Sequence, residues 1–357
     1  MSDPEAVQLL KSIGSAVDES ALRSLRDHVN DRMEAIRSDL PVEQFYNELN
    51  EAYDAIIKRA ISLAEAHLAR MGMGSPPVPY AYLLFGSGGR QEQTLSSDQD
   101  SGLVYADIES LEQAEAGRRY FTELSKQIVI QLELLGFPRC EGNVLSDNPS
   151  WGMPLSQWRE QINGWFEEPA WEAVRYLLIV ADGRCVYGEY ALSEQLKDIF
   201  FNDVRNHPII TTRMLENTMR HKVLLGVFGQ LLKEQYGEDA GSLDLKYGAY
   251  IPMVNAVRLM AILQGVRETK TIGRIQALLA AGVISSEEAE SITNAFRLFL
   301  RLRLMTTEKH ENGLYTNNGM LAVGKLSKEW IEELKSGLKV GKKLQRRVFK
   351  HTSGKFR

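Results

Sequence analysis

The stretch from Leu84 to Asp100, LFGSGGRQEQTLSSDQD, is the part of the sequence from which the fold can be read. It joins two short apolar runs, Tyr80–Phe85 before it and Gly102–Ala106 after it. Both runs have the length and the aromatic and apolar content of buried strands rather than helices. The order predicts two strands joined by a polar, glycine-rich loop.

The first half of this loop has the composition of an anion-binding turn. Its three glycines let the backbone turn N–H groups toward phosphate oxygens, and Arg90 offers a planar guanidinium suited to phosphate. The pattern is not a P-loop, because no Gly-Lys-Ser/Thr follows, and Gln91 breaks the dinucleotide fingerprint. We therefore predict ligand contacts from the residues Gly86, Ser87, Gly88 and Arg90.

The second half of the loop carries two carboxylates, Asp98 and Asp100, directly before the next apolar run. Residues two apart on a strand point to the same face, so both carboxylates are expected to project together. Two carboxylates this close repel each other unless a cation neutralises them, and Mg²⁺ favours sites shared between carboxylates and phosphates. Asp-x-Asp pairs also occur in surface turns; the fixed order of strand, glycine loop, aspartates and strand favours a site.

Upstream of the loop, residues 5–72 read as helices. Apolar residues recur at helical spacing from Leu22 to Ile36 and again from Phe45 to Ile57. The stretch Met71–Pro79, MGMGSPPVP, then breaks the pattern with glycines and adjacent prolines and predicts a linker.

Downstream of the loop, strands and helices alternate. Ser110 with Gln113 forms a capping-box pattern that predicts a helix running to Leu135 and stopping at Gly136. Two more helices are predicted, and the second leads into a strand near Ile179–Ala181. These helices cover Trp151–Phe166 and Pro169–Leu178.

Past about Leu192 the strand signals stop, which predicts a helical bundle. Ser285 with Glu288 forms a second capping-box pattern. The predicted helices are Thr212–Tyr236, Leu243–Gly265, Ser286–Met305 and Leu326–Phe349.

The sequence therefore predicts an α+β protein with a helical N-terminal segment, a small α/β core with a mixed sheet, and a C-terminal helical bundle. The expected divisions are residues 1–75, residues 76–195 and residues 196–357. The middle division contains the loop.

Composition limits the class of function. The chain has 357 residues and a formal net charge of −5, which argues against a general nucleic-acid coat. We find no signal peptide and no apolar run long enough to span a bilayer, so a cytoplasmic location without membrane contact is expected. Its two cysteines predict no disulfide framework.

The basic stretch from Lys335 to Arg357 has two interpretations. It is either the solvated end of a last helix, which we favour, or a docking patch for an acidic partner, a phosphate-bearing ligand or RNA.

The loop residues carry a resemblance to a known family. Gly86-Ser87, Arg90, Glu92 and the Ser97-Asp98-Gln99-Asp100 segment resemble the signature of polymerase-β-type nucleotidyltransferases. More narrowly, the chain is similar to the bacterial DUF294 group, related to the uridylyltransferase of PII nitrogen signalling. Other similar segments, covering most of the chain after Pro79, are Gly136-Phe137-Pro138 with Cys140 and Gly142-Asn143, Asn148-Pro149 with Trp151, Asp182 with Arg184, Val186-Tyr187-Gly188, Asp244–Gly248, and Thr271 with Arg274.

The resemblance implies a mechanism and a set of roles. In this superfamily, carboxylates hold metal ions over a nucleoside triphosphate, an acceptor attacks the α-phosphorus, and pyrophosphate leaves. Asp98 and Asp100 are implied as catalytic ligands of Mg²⁺, or of Mn²⁺, with Asp182 as candidate third carboxylate or base; a simple Asp182-Gly183 turn is equally compatible. Gly86, Ser87 and Arg90 are implied as triphosphate contacts. Further candidates are Glu92, which orients Arg90 or caps the loop; Lys246, for which a solvated face is the favoured alternative; and Asn143, Asn148 and Trp151, as lining of a nucleotide pocket or as simple packing.

The resemblance implies transfer of AMP or UMP to a protein or small-molecule acceptor. Kinship with PII modification favours a protein acceptor, recognised by the helical C-terminal half. The alternatives are a nucleotide-binding regulator with weak or no catalysis, and RNA-directed transfer, which the net charge disfavours. The base, the acceptor and the oligomeric state, including a homo-oligomer, are left open.

Overall fold

The computed structural model describes residues 4–310 and 314–354. The structure confirms the predicted α+β class: helices precede and follow the strands of a small mixed sheet along the chain. The chain forms two compact units. The first comprises residues 4–164 and 182–200, and the second comprises residues 165–181, 201–310 and 315–354. The units group the N-terminal helices with the sheet; the three-part division made from the sequence stays a prediction about domain boundaries.

Three N-terminal helices confirm the helical prediction for residues 5–72: α1 (Pro4–Gly14), α2 (Glu19–Ala35) and α3 (Val42–Arg70). The Asp18 side chain caps α2 by accepting a hydrogen bond from the Ala21 N–H at 2.8 Å. The apolar residues that predicted α3 are all buried, so the 3.6-residue period marks its core face: Phe45, Leu49, Tyr53, Ile56 and Ile57.

The sheet of the first unit has the strand order β3-β2-β1-β4. β1 (Tyr80–Leu84) runs antiparallel to both β2 (Ser101–Tyr105) and β4 (Arg184–Gly188), whereas β3 (Gly152–Pro154) runs parallel to β2, so the sheet is mixed as predicted. Every residue of β1 and β2 is buried, which explains why both runs read as continuously apolar. Between them lies one short helical turn, α4 (Gly86–Gly89).

Helices complete the first half of the chain. α5 (Leu111–Leu134) packs on α3 and ends before Gly136, which has a φ of +87°. α6 (Leu155–Glu167) begins four residues later than the predicted helix, because Gly152–Pro154 pairs with β2. The predicted strand at Ile179–Ala181 is wrong: α7 (Trp171–Val180) continues through it, burying residues at helical spacing, and the strand forms only after the Asp182 turn.

The second unit is built mainly of helices. α8 (Tyr190–Asn206) leads into it, and α9 (Pro208–Thr218) follows. A π-helical turn at Lys246–Tyr250 continues into α10 (Ile251–Leu263), which confirms a helix in that region. The others are α11 (Thr271–Ala280), α12 (Ser286–Leu304) and α13 (Lys328–Gly354). Among the described helices, none combines the length and apolar character that a bilayer crossing needs.

Two predictions for this region are wrong. The helix predicted over Thr212–Tyr236 ends at Thr218, because Gly226 and Gly229 interrupt the segment beyond it and the apolar Phe228 is 94% exposed, with no core to pack against. Strands also occur past Leu192, as three-residue pieces too short to show a period of two: β5 (Ser242–Asp244) with β8 (Met320–Ala322), and β6 (Thr307–Lys309) with β7 (Tyr315–Asn317).

Candidate active site

The loop between β1 and β2 brings Gly86 against Asp100. The Phe85 N–H donates to the Asp100 carbonyl oxygen at 2.9 Å, so the antiparallel pairing of the two strands continues into the loop. Gly86 has a φ of +50°, and a Cβ atom placed on it would lie 2.1 Å from Asp100 Oδ2. The absence of a side chain at Gly86 is therefore what gives the Asp100 carboxylate its position.

Gln99 fixes the direction of the two aspartates. Its buried side-chain amide donates to the carbonyl oxygens of Val129 at 3.1 Å and Phe137 at 2.8 Å. Asp98 and Asp100 flank Gln99, Asp98 exposed and Asp100 half-buried. Their carboxylates project together, as the two-residue spacing predicted.

Cys140 is the residue that the sequence reasoning missed. One ligand atom each from Asp98, Asp100 and Cys140 lies within 4.8 Å of the others. The segment carrying Cys140 is held beside the loop, since the Gln99 N–H donates to the Pro138 carbonyl at 2.9 Å. Forty residues separate Cys140 from Asp100, so spacing could not reveal it; the available signal was its place in the Gly136-Phe137-Pro138 segment of the family resemblance.

The pKa of the Cys140 thiol lies above its usual range. Burial, the negative charge of Asp100 and a hydrogen bond to the Asp100 carboxylate together raise it to about 12. A cation bound at this position would counteract the effect of the Asp100 carboxylate and lower the pKa of the Cys140 thiol. The donor set fits a divalent cation, because two carboxylates suit Mg²⁺ or Mn²⁺, and the gap left by Gly86 keeps the Asp100 oxygen reachable.

Arg90, Glu92 and Asp182 form a buried ionic triad. Arg90 Nη1 lies 2.6 Å from Asp182 Oδ2, and Arg90 Nε lies 2.9 Å from Glu92 Oε2. All three side chains are 6% exposed or less. Glu92 thus orients Arg90, one of the two roles considered for it.

The triad bears on two predicted roles. Within residues 4–310 and 314–354, the group of candidate metal ligands contains Asp98, Asp100 and Cys140 and does not include Asp182. The reason is local: Asp182 follows the end of α7 in a turn that faces Arg90, rather than lying on a sheet strand. The structure likewise turns the Arg90 guanidinium inward, and neither arrangement favours direct contact with substrate.

Gly89 and Gly88 join the loop to this turn and to β4. A Cβ atom on Gly89 would lie 2.0 Å from the Asp182 carbonyl oxygen. The Gly88 carbonyl oxygen accepts a hydrogen bond from Arg184 Nη2 at 2.9 Å. Arg184 in turn forms a two-point ion pair with Asp54 of α3, at 2.7 and 2.9 Å. Close backbone packing at Gly89 and the Arg184–Asp54 ion pair therefore hold this part of the loop in place.

Helix α3 holds the loop at further points. The Gln93 N–H donates to the Asn50 side-chain oxygen at 3.2 Å, and the Asn50 amide donates back to the Gln93 carbonyl at 3.4 Å. The Tyr53 hydroxyl donates to the Asn30 side-chain oxygen at 2.8 Å and lies 3.4 Å from the Leu95 carbonyl oxygen. An N-terminal helix therefore forms the scaffold of the loop, which the sequence did not reveal.

The accessible part of the loop is its beginning. Gly86 and Ser87 are half-exposed, whereas Gly88, Gly89, Arg90 and Glu92 are buried. The hydrogen bonds that close the turn use the N–H groups of Gly89, Arg90 and Glu92. A ligand therefore meets Gly86, Ser87, Asp98 and Asp100 first.

The remaining candidates lie elsewhere. Trp151 is 2% exposed and packs edge-on against Phe85, with ring centroids 5.2 Å apart, so it is a core residue rather than a platform for a base. Asn148 donates to the Asn143 carbonyl at 2.9 Å and shapes its own turn. Lys246 lies in the second unit, with its ammonium 5.4 Å from the Tyr247 ring centroid.

Comparison with known families gives two matches. Residues 27–172 match the family model described as "Putative nucleotidyltransferase DUF294". Residues 208–352 match the one described as "Putative nucleotidyltransferase substrate binding domain". The first match begins inside α2, upstream of Pro79, and therefore includes the helix that holds the loop. No curated protein matches the chain.

Proposed function

Because this chain belongs to the DUF294 nucleotidyltransferase family, we propose that it transfers a nucleoside monophosphate from a nucleoside triphosphate to an acceptor. The observation that carries the proposal is the convergence of Asp98 and Asp100 beside the side-chain-free Gly86. In the transfer, a bond forms between the acceptor oxygen and the α-phosphorus, the bond to the β-phosphate oxygen breaks, and pyrophosphate leaves. The acceptor proton is released to water.

Asp98 and Asp100 are the residues that would hold Mg²⁺ or Mn²⁺, with the Cys140 thiol at the edge of the same cluster. The bound cation would neutralise charge on the triphosphate and align the reacting oxygens. The half-exposed Gly86 and Ser87 would receive the phosphates.

Arg90 and Asp182 act in this proposal by positioning. Their ion pair and the Glu92 contact hold the turn that presents Ser87. A buried, fully engaged guanidinium binds phosphate poorly, because its existing partners would have to be given up. The proposal therefore assigns Asp98 and Asp100, and neither Asp182 nor Arg90, to direct contact with the reacting groups.

AMP and UMP are the candidate groups for transfer, and a polypeptide is the favoured acceptor. The match of residues 208–352 to a model described as a substrate binding domain supports the second unit as the region that recognises the acceptor. Lys246 of that unit is a weaker candidate for a nucleotide contact, since its ammonium is already placed over an aromatic ring.

The test uses the four nucleoside triphosphates, each labelled on the α-phosphate, with Mg²⁺ or Mn²⁺ and an extract of the source cells. We expect one nucleotide to give a labelled product with the wild type and none with Asp98→Asn or Asp100→Asn. Asp39→Asn, the same change at an exposed aspartate of the first unit, is the matched control and should retain full activity. Undiminished labelling in both site variants would refute the assignment.

A second candidate function is a nucleotide-binding regulator without catalysis. It is favoured by the burial of Asp182 against Arg90, which leaves two carboxylates at the cluster where three were expected. Metal-dependent binding of a labelled nucleotide, lost in Asp98→Asn and accompanied by no transfer to any acceptor, would favour the regulator.

A further inference from the structure

A groove runs along the seam between α12 and α13 in the second unit. Its wider part encloses about 1010 Å³ between the start of α12, at Ser285 and Ser291, and the later part of α13, at Lys343 and Lys350. A narrower part of about 460 Å³ continues it and shares Ser291 and Val340. The two parts are therefore adjacent along the seam.

The groove has the length of a short helix. The start of α12 faces the end of α13, and Arg301 near the end of α12 faces Glu333 near the start of α13, so the two helices run antiparallel. At a rise of about 1.5 Å per residue, the distance along α12 from Ser285 to Arg301 is roughly 24 Å. A helical segment of about 16 residues matches this length.

One rim of the groove is positively charged. Lys343, Arg346 and Lys350 are all exposed, and their spacing of three and four residues places them on one face of α13. The ion pairs that α13 forms within the described chain use Lys335 and Arg347 instead. The three rim cations are therefore available to a partner.

The surroundings of the rim agree with this charge. A hydrogen bond from Arg347 holds the pKa of the Glu288 carboxyl below its usual range, with smaller contributions from the Ser285 backbone and from the charge of Lys343. Glu288 is thus committed to Arg347 and neutralises it. Glu287 is the other acidic residue that lines the wide part, so positive charge remains in excess there.

Three apolar residues line the wide part, Ile292, Val340 and Leu344, and of these Val340 is half-exposed. No aromatic residue lines either part among the described residues. Single-stranded nucleic acid is usually bound by basic residues together with aromatic side chains that stack on bases. A basic rim beside aliphatic residues instead suits an amphipathic helix with one acidic and one apolar face.

We infer that the groove between α12 and α13 binds an acidic amphipathic helix of a polypeptide partner. The inference rests on the proposed function in one respect only, namely that this polypeptide is the acceptor. Its binding involves the rim residues Lys343, Arg346 and Lys350 and does not involve Asp98 or Asp100.

The probe is a fluorescent peptide of about 16 residues with leucines on one helical face and glutamates on the other. Its binding to the full chain is measured by anisotropy without nucleotide. We expect the triple variant Lys343→Glu, Arg346→Glu, Lys350→Glu to bind at least about tenfold more weakly. The control variant Lys11→Glu, Lys58→Glu, Lys126→Glu changes the net charge equally at exposed sites of the first unit and should bind as the wild type does.

Three results would overturn the inference: no binding by the wild type, equal binding by the rim and control variants, or equal binding of a peptide with glutamine in place of glutamate. Preference for a single-stranded RNA of similar length would assign the rim to nucleic acid instead. Asp98→Asn should bind the peptide normally, so loss of transferase activity and failure of the groove are separately observable.

Discussion

Gly86 and Gly89 hold the loop close to its neighbours, and each excludes a side chain for a different reason. At Gly86 the atom that a Cβ would meet is a carboxylate oxygen of Asp100, which we propose as a ligand of the divalent cation. At Gly89 the obstacle is backbone, the carbonyl oxygens of Asp182 and Leu84, which cannot swing away. A change at Gly86 therefore disturbs a reactive group, whereas one at Gly89 disturbs the fold of the loop.

Gly86→Ala should reduce transfer strongly. The new methyl group would displace the Asp100 carboxylate, and a misplacement of about 1 Å costs roughly 100-fold in rate. The matched control is Gly72→Ala, because Gly72 also has a positive φ, of +83°, and an added methyl group there meets no atom within 4 Å. Steady-state rates of the two variants give the comparison, and equal rates would show that Asp100 need not stay where Gly86 allows it.

Asp182→Asn should destabilise the protein by about 3–5 kcal/mol, because it removes one partner from a buried ion pair and leaves Arg90 under-compensated. Glu115→Gln, which breaks the exposed pair with Arg118, should cost less than about 1 kcal/mol. Denaturant unfolding measures both free energies. A loss below about 1 kcal/mol for Asp182→Asn would contradict the positioning role.

The sequence predicted the site as far as local spacing reaches. Asp98 and Asp100 share a face because of a two-residue period, and that period is visible without a structure. The position of Cys140, and the pairing of Arg90 with a residue 92 positions away, depend on how distant segments meet. No local pattern encodes such meetings, so these parts could not be predicted.

At the scale of elements, α3 is the scaffold of the loop. Its side chains Asn50, Tyr53 and Asp54 contact the loop directly or through Arg184. Helical periodicity predicted α3 but not its polar contacts, since a buried asparagine or aspartate on a helix carries no sequence signal of its partner. The N-terminal helix is therefore part of the candidate active-site structure.

Asp54→Asn should lower the transfer rate about tenfold, equivalent to about 1.4 kcal/mol, because Arg184 loses the ion pair that aims it at the Gly88 carbonyl. Arg184→Gln should do the same, and the double variant should be little worse than either, since one interaction is removed in all three. Glu51→Gln, an exposed position on the same helix, is the control. Strictly additive losses would show that the two residues act separately.

The two capping boxes predicted from sequence differ in the structure. Ser285 and Glu288 form both reciprocal hydrogen bonds at the start of α12, whereas the Ser110 side chain makes no capping bond at the start of α5. We expect Ser285→Ala to cost about 1 kcal/mol of unfolding free energy and Ser110→Ala almost nothing. Thermal or denaturant unfolding compares them, and equal losses would contradict the difference.

The predicted helix after Thr218 is wrong in a segment where only Val223 and Leu225 reach the core. The region after Thr218 carries apolar residues at helical spacing, yet Val227, Phe228 and Tyr236 are exposed. Helical periodicity shows that a segment has an apolar face. It does not show whether another part of the protein is positioned to bury that face. Strands β5 to β8 were not predicted for a different reason, because a strand of three residues is too short to show the two-residue period.

In the molecule as a whole, two different family models match the two halves of the chain. Residues 27–172 contain the glycine loop, the aspartates and their scaffold α3, and residues 208–352 contain the groove between α12 and α13. The net charge of −5 conceals a local excess of positive charge on α13. We therefore expect substitutions of Asp98 or Asp100 to reduce nucleotide transfer, and substitutions of the rim cations on α13 to weaken binding of the acceptor.

We propose above all that Asp98 and Asp100 hold a divalent cation beside the phosphates of a bound nucleotide. A crystal of the full chain grown with Mn²⁺ and a non-hydrolysable nucleoside triphosphate tests it directly through the anomalous scattering of manganese. We predict an anomalous peak about 2–2.5 Å from carboxylate oxygens of both aspartates, with phosphates at Gly86 and Ser87. A bound nucleotide with no manganese between Asp98 and Asp100, or with manganese held elsewhere, would contradict the account.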